Sequence, residues 1–228
     1  MTQSIHPNRP EPSPQRQPVT VIQCLGITFM VMFFTLIISL SASASEDAAD
    51  QQTAVATVDS LHSELISVMK EGPELSLEGR YERLLPIVGE HFDVALIARI
   101  ALGRQWASLG EEHRRQYVDC LHELIAARYA SRISEFSGQV FETLSSESTS
   151  SDRIAVRSQL TRAEGDTVSL HYRLFTRKDQ WRIYDVVSEG VSDLSMMRSE
   201  FSEAFRESGF EGLTEILEER IAKYRTPS

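Results

Sequence analysis

Apolar residues recur every three or four positions in the first part of the chain after residue 54, and every second position later on. Val55, Val58, Leu61, Leu65 and Val68 form one helical stripe, which Glu71-Gly72-Pro73 ends. After a short polar link, RYERLLPIV (80–88) begins a second helical piece that Pro86 interrupts or restarts. Asp93 is placed as the N-cap of VALIARIAL, and Gly103 terminates that helix. Ser108 and Glu111 have the spacing of a capping box. From there one long helix runs to about Phe136, with Val118, Leu121, Ile125, Tyr129, Ile133 and Phe136 as its stripe, until Ser137-Gly138 stops it.

The period then changes to two. VFETL (140–144) is the weakest of four strand candidates. IAVRSQL places Ile154, Val156 and Leu160 on one side and Arg157 and Gln159 on the other. TVSLHYRLF sets Val168, Leu170, Tyr172 and Leu174 against Ser169, His171 and Arg173. Such alternation predicts an antiparallel sheet with one wet face and one covered face. Glu164-Gly165-Asp166 and Lys178-Asp179-Gln180 supply the short turns, and WRIYDVV, apolar on both faces toward its end, is the fourth strand. Two helices finish the chain. Leu194, Met197, Phe201 and Phe205 belong to the first, which stops at Gly209, and Leu213, Ile216, Leu217, Ile221 and Tyr224 to the second. The expected fold class is α+β: helices packed on one face of a small, about four-stranded antiparallel sheet, in a single domain over residues 55–225.

The N-terminus changes the picture of where this domain works. Residues 19–40 run without a charge, behind a proline-rich flank that carries Arg9 and Arg16. Ala42-Ser43-Ala44 fits the small-x-small pattern of a signal peptidase site. Residues 1–44 therefore read as a cleaved signal peptide or an uncleaved N-terminal anchor. Either outcome exports the remainder across the membrane, and residues 45–54 form a flexible lead-in. Of the 23 basic and 33 acidic residues, only Arg9, Arg16 and Glu11 lie before Ser45, which leaves the exported part with a net charge of −11. That surface repels phosphate backbones and excludes nucleic acid as a partner. Cys24 sits early in the apolar run, so Cys120 is the one exported thiol and no intrachain disulfide can form there. Between Tyr117 and Leu124 on a helical face, it reads as a small buried hydrophobe.

Motifs for chemistry are scarce. His62, His91, His113, His122 and His171 show no pairing at i,i+4 and no H-E-x-x-H frame, so each reads as a surface or helix-face residue and no metal site is expected. Ser67-Val68-Met69-Lys70 matches S-x-x-K, but no K-T-G or S-D-N accompanies it. No glycine loop cradles a phosphate, no G-x-S-x-G is present, and no cofactor is implied. Asp185, Tyr172 and Glu189 could be imagined as an acid–base group in an apolar setting. The alternative is that Asp185 and Glu189 fix the strand end and the bend through hydrogen bonds. With no convergent histidine or second carboxylate in view, an enzyme is not expected.

Three stretches resemble a known family. These are ALGRQWASLGEEHRRQYVDCLHELIAARYASRISEFSGQVFE (101–142), the strand VSLHYRLF, and WRIYDVVSEGVSDLSMMRSEF (181–201) continuing into SGFEGLTEIL. In order and spacing they resemble the MlaC, or toluene-tolerance, family of periplasmic phospholipid-binding proteins. The match spans roughly residues 55–224, and MKEGPELSLEGRYERLLPIV is similar to the hopanoid-associated branch of the same superfamily. The resemblance implies a non-catalytic carrier with an apolar pocket between the sheet and the C-terminal helices. It also implies lipid exchange with an inner-membrane ABC transporter complex and with an outer-membrane lipoprotein/porin complex. Candidate lipid-binding residues are Tyr129, Val168, Leu170, Tyr172, Leu174, Val187, Val191, Met197 and Phe201, with Val191 facing the ligand by resemblance. A membrane-tethered scaffold whose pocket is only a core is the competing expectation.

Overall fold

The computed structural model describes residues 22–72, 74–133, 135–178 and 180–226, with side chains from residue 47 onward. Residues 1–21, and the side chains of Cys24 and of Ala42–Ala44, lie outside the described residues. The chain divides into two compact units, Met1–Ser45 and Glu46–Ser228. In the first, the described backbone from residue 22 is helical.

Helix α1 (Ile22–Glu71) contributes its C-terminal part to the second unit. There Ala54, Val58, Leu61, Leu65 and Val68 are buried at helical spacing, while Val55 is only half-buried. Residues 46–54 differ from the flexible lead-in expected of them. They are helical, Ala54 is wholly buried, and Gln51 bonds to both Ser146 and Ser148 across on the sheet. Alanine favours helix, and the contact with the sheet supplies a partner that composition alone does not reveal.

Helix α2 (Leu77–His91) is capped by Ser76, whose Oγ accepts from the Gly79 N–H at 3.0 Å. It runs through Pro86 without a break, contrary to the interruption expected there, with Leu84, Ile87 and Val88 buried on its inner side. Asp93 caps α3 (Val94–Leu102) by accepting from the Leu96 N–H at 2.9 Å, and Gly103 ends it with a φ of 58°. A 3-10 turn (Gly103–Ser108) leads to α4 (Glu111–Arg132). The capping box does not form: Gly110 is the N-cap, and the Ser108 hydroxyl donates back to the Gln105 carbonyl. Two acidic residues in the first turn, Glu111 and Glu112, meet the positive end of the helix dipole instead. Helix α4 also stops at Arg132 rather than near Phe136, whose N–H reaches the Met69 carbonyl at 3.0 Å.

The sheet is an antiparallel meander in sequence order: β1 (Val140–Ser150), β2 (Arg153–Thr161), β3 (Thr167–Arg177), β4 (Gln180–Ser188) and the two-residue β5 (Val191–Ser192). It thus has five strands, the fifth a short return after the bend at Glu189-Gly190. The weakest candidate becomes an eleven-residue edge strand, and its Ser, Thr and Glu content suits an edge open to water. Ile154, Val156, Tyr172 and Leu174 are buried on one face, and Arg157 and Arg173 are exposed on the other. Helices cover the buried face.

Helix α5 (Asp193–Tyr224) is kinked where two helices were expected to separate. Gly209 has φ 69° and ψ −159°, a left-handed conformation that glycine adopts without a Cβ clash. Beyond the kink Phe210 is buried and stacks on His113 at 4.1 Å.

Candidate functional site

Between the sheet and the helices lies an apolar cavity of about 210 Å³. Its walls come from Leu65 and Met69 of α1, Ile97 of α3, and Ile125 and Tyr129 of α4. The sheet supplies Phe141, Leu160, Leu170, Tyr172, Tyr184 and Val186, and the start of α5 supplies Leu194 and Met197. The polar members are Arg128, Arg132, Asp185, Ser188 and Asp193.

A fault in strand alternation shapes this cavity. Tyr172 pairs with Val186 and Arg173 with Asp185, but Leu174 pairs with Ile183, so Tyr184 is an extra residue in β4. A bulge of this kind shifts every later side chain to the opposite face. Val186 therefore joins Tyr172 on the inner face, and both Tyr184 and Asp185 border the cavity.

Asp185 is 3% exposed and fully engaged. Its carboxylate accepts from the Ser192 hydroxyl at 2.8 Å, the Leu194 N–H at 3.1 Å and Arg173 Nη1 at 3.1 Å. It thereby ties β4 to the first turn of α5, where the helix dipole favours a negative charge. Glu189 sits at the bend with φ 49°, unusual for a residue with a side chain. Its backbone N–H donates to the Ser169 carbonyl at 3.1 Å and its carboxylate accepts from the Ser169 N–H. Both acids do the fixing work that the hydrogen-bonding alternative assigned to them.

One aromatic group backs the cavity. His62 Nε2 is 3.0 Å from the Tyr172 hydroxyl, and its ring stacks on Phe141 at 4.2 Å. Burial lowers the His62 pKa to about 4, opposed by the nearby Asp59, so the imidazole is neutral at pH 7. Burial also pushes the Tyr172 and Tyr129 hydroxyls well above the usual phenol range. Of the histidines expected at the surface or on helix faces, His62 and His91 lie on helix faces that are turned inward. Both are buried on α1 and α2, each held by a polar partner. Cys120 is a half-buried free thiol, its pKa raised by burial.

At the polar edge Arg128 Nη2 lies 2.6 Å from Asp193 Oδ1, with the Arg128 side chain only 16% exposed. Arg132 follows one turn later and is exposed. An apolar interior thus meets two guanidinium groups along one edge.

Four of the nine candidate residues border the cavity: Tyr129, Leu170, Tyr172 and Met197. Leu174 is wholly buried further along β3, between Ile154 and Ile183. Val168 lies at the other end of the strand, half-buried opposite Leu160. Val187 is turned off the inner face by the bulge and pairs with His171. Phe201 is wholly buried in contact with Tyr117, ring to ring at 6.5 Å, and belongs to solid core. Val191 is 51% exposed in β5, so it does not face the cavity. Arg128 and Arg132 were missed. Their four-residue spacing around Tyr129 was the available signal, because like charges so placed on a helix repel unless something anionic answers them.

A one-sided antiparallel sheet, helices across its apolar face and a cation-edged cavity between them define a class of small α+β proteins built around an internal apolar space. The chain belongs to the MlaC protein family, whose model matches residues 59–219. It is 26% identical over 175 residues to the intermembrane phospholipid transport system binding protein MlaC of Haemophilus influenzae, covering 74% of this chain and 78% of that protein. Its fold is similar to that of a phospholipid-binding protein from Ralstonia solanacearum, solved in complex with a phospholipid. The TM-score is 0.66 at 23% identity, over 75% of this chain and 98% of the other.

Proposed function

We propose that the chain is a periplasmic lipid carrier that holds phospholipid acyl chains in the cavity and shuttles lipid between the inner and outer membranes. The observation that carries the reading is an apolar cavity edged on one side by Arg128 and Arg132. Acyl chains gain about 0.8 kcal/mol per buried methylene, and the phosphate finds guanidinium donors at the edge. Arg128 then exchanges Asp193 for the phosphate, which shares its charge and hydrogen-bonding pattern. Ligand pockets usually measure about 300–1,000 Å³, so a cavity of about 210 Å³ widens as chains enter. The names of the relatives, which bind or transport phospholipid, support the same reading.

Catalysis is not part of this function. Asp185 is held by three donors, and neither a neutral His62 nor a hydroxyl as weakly acidic as that of Tyr172 exchanges protons readily near pH 7. Residues 1–44 serve as the export leader, cleaved or retained as an anchor, and the compact unit that begins at Glu46 supports that division. The exchange partners are an inner-membrane ABC transporter complex and an outer-membrane lipoprotein/porin complex.

Native mass spectrometry of the chain purified gently from a Gram-negative envelope tests the proposal. One lipid per chain is expected, and extraction identifies it as glycerophospholipid or hopanoid. N-terminal sequencing of the same sample reads a start at Ser45 if the leader is cleaved. Bare protein from several gentle preparations would overturn the carrier and favour the tethered scaffold.

A further inference from the structure

We propose that Glu64, Glu90 and His91 form a binding site for a divalent transition metal of the zinc class. Glu64 comes from α1, and Glu90 and His91 from the last turn of α2. One ligand atom from each lies within 4.8 Å of the others. His91 is 3% exposed, and its Nε2 is 3.3 Å from Glu64 Oε1. Among the described residues neither carboxylate pairs with a lysine or arginine. Arg182 borders the same groove as Glu90 and His91, but its guanidinium donates to the Gly89 carbonyl at 3.2 Å and to Gln180 Oε1 at 3.4 Å.

Two carboxylates that converge on a buried imidazole repel each other, and a cation held between them would relieve that repulsion. Two carboxylates and an imidazole supply a mixed oxygen and nitrogen donor set, and that mixture selects the type of ion. Calcium and magnesium take oxygen ligands throughout, whereas imidazole suits zinc and its neighbours. Three protein ligands and one water complete a tetrahedral zinc sphere. The site would tie α1 to α2 directly behind the cavity wall, since Leu65 and Phe92, the chain neighbours of Glu64 and His91, both line the cavity. No sequence motif announces it, because Glu64 is remote in the chain from the adjacent Glu90 and His91. The inference does not depend on the lipid reading.

The test uses the full chain in mild detergent, stripped with a chelator and titrated calorimetrically with zinc chloride at pH 7.5. One zinc per chain and a raised melting temperature are expected, with excess magnesium unable to displace it. Glu90→Gln, at an exposed position, keeps the fold and weakens zinc binding at least about tenfold, or about 1.4 kcal/mol. Glu64→Gln does the same, and if that variant fails to fold, Glu90→Gln alone decides. Absence of saturable one-to-one binding would overturn the site. So would a folded Glu90→Gln variant that binds zinc like the unaltered chain, since the metal would then lie elsewhere.

Discussion

Strand β3 passes through two environments on a single face. At Leu174 the face is solid: the side chain is wholly buried between Ile154 and Ile183, with buried Trp181 beyond. At Tyr172 and Leu170 the same face opens on the cavity. The closed end is pinned by main-chain bonds, because the Asp93 N–H reaches the Ile183 carbonyl at 2.9 Å and Phe92 bridges to Ile183. The open end is bordered by Asp185, Ser188 and Asp193; Asp185 accepts from Ser192 and Leu194, which flank Asp193, and Asp193 pairs with Arg128. Alternation alone cannot distinguish the two ends. The bulge at Tyr184 and the chain that crosses the sheet make the difference, and they assign stability to one end and an internal space to the other.

The largest expected effect contrasts these ends directly. Leu174→Ala removes a packed side chain and should cost about 2–5 kcal/mol in urea denaturation. Leu170→Ala enlarges a space that already exists and should cost less than about 2 kcal/mol, because fewer neighbours lose contacts. Equal losses would mean that the cavity end is packed as tightly as the other.

The next effect tests the boundary between the ends, where His62 meets Tyr172. The groups facing this imidazole are the Tyr172 hydroxyl and, on its own helix, Asp59. A histidine with a folded pKa of about 4 takes up its proton more readily in the unfolded chain, near pH 6.5. Stability is therefore unaffected above about pH 6.5, falls as pH drops toward about 4, and levels off below that. The total loss is about 3 kcal/mol. His62→Gln can keep a hydrogen bond to Tyr172 while losing the titration. The difference between the two denaturation profiles over pH 4–6.5 isolates the histidine from the carboxylates, and superimposable profiles would show that His62 is not buried as a neutral ring.

Much of the scaffold was legible because short-range chemistry decides it. The Asp93 cap, the stops at Glu71 and Gly103, the kink at Gly209 and the one-sided face of β3 each follow from residues close in sequence. Pro86 and the absent capping box at Ser108 show the limit of such signals, since tertiary packing carries α2 through its proline and Gly110 takes over the cap of α4. The cavity was only half legible. Tyr129, Leu170, Tyr172 and Met197 follow from periodicity, whereas Val187 was misplaced because nothing in WRIYDVV marks Tyr184 as the bulged residue. Phe201 and Leu174 carry the same apolar signal as true cavity residues, and only the position along the element separates them. His62 and Arg128 depend on partners far away in the chain, Tyr172 and Asp193, so no local pattern could pair them.

The smallest change in stability belongs to a pair of tryptophan substitutions, and it is the most informative about binding. Leu170→Trp points a large ring into the cavity, which has room for part of it, so the fold should survive with a cost of about 1 kcal/mol or less while lipid content drops. In a solid core the same substitution would overpack and cost about 1–3 kcal/mol. Val191→Trp serves as its partner. Val191 is 51% exposed on β5, outside the cavity, so an indole there should shift stability by no more than about 0.5 kcal/mol and leave lipid content unchanged. Thermal melts and lipid extraction on both variants separate the outcomes. Loss of lipid from Val191→Trp with the fold intact would move the ligand path to the β4–β5 bend. A folded Leu170→Trp variant that remains full of lipid would move it away from the open end of β3 altogether.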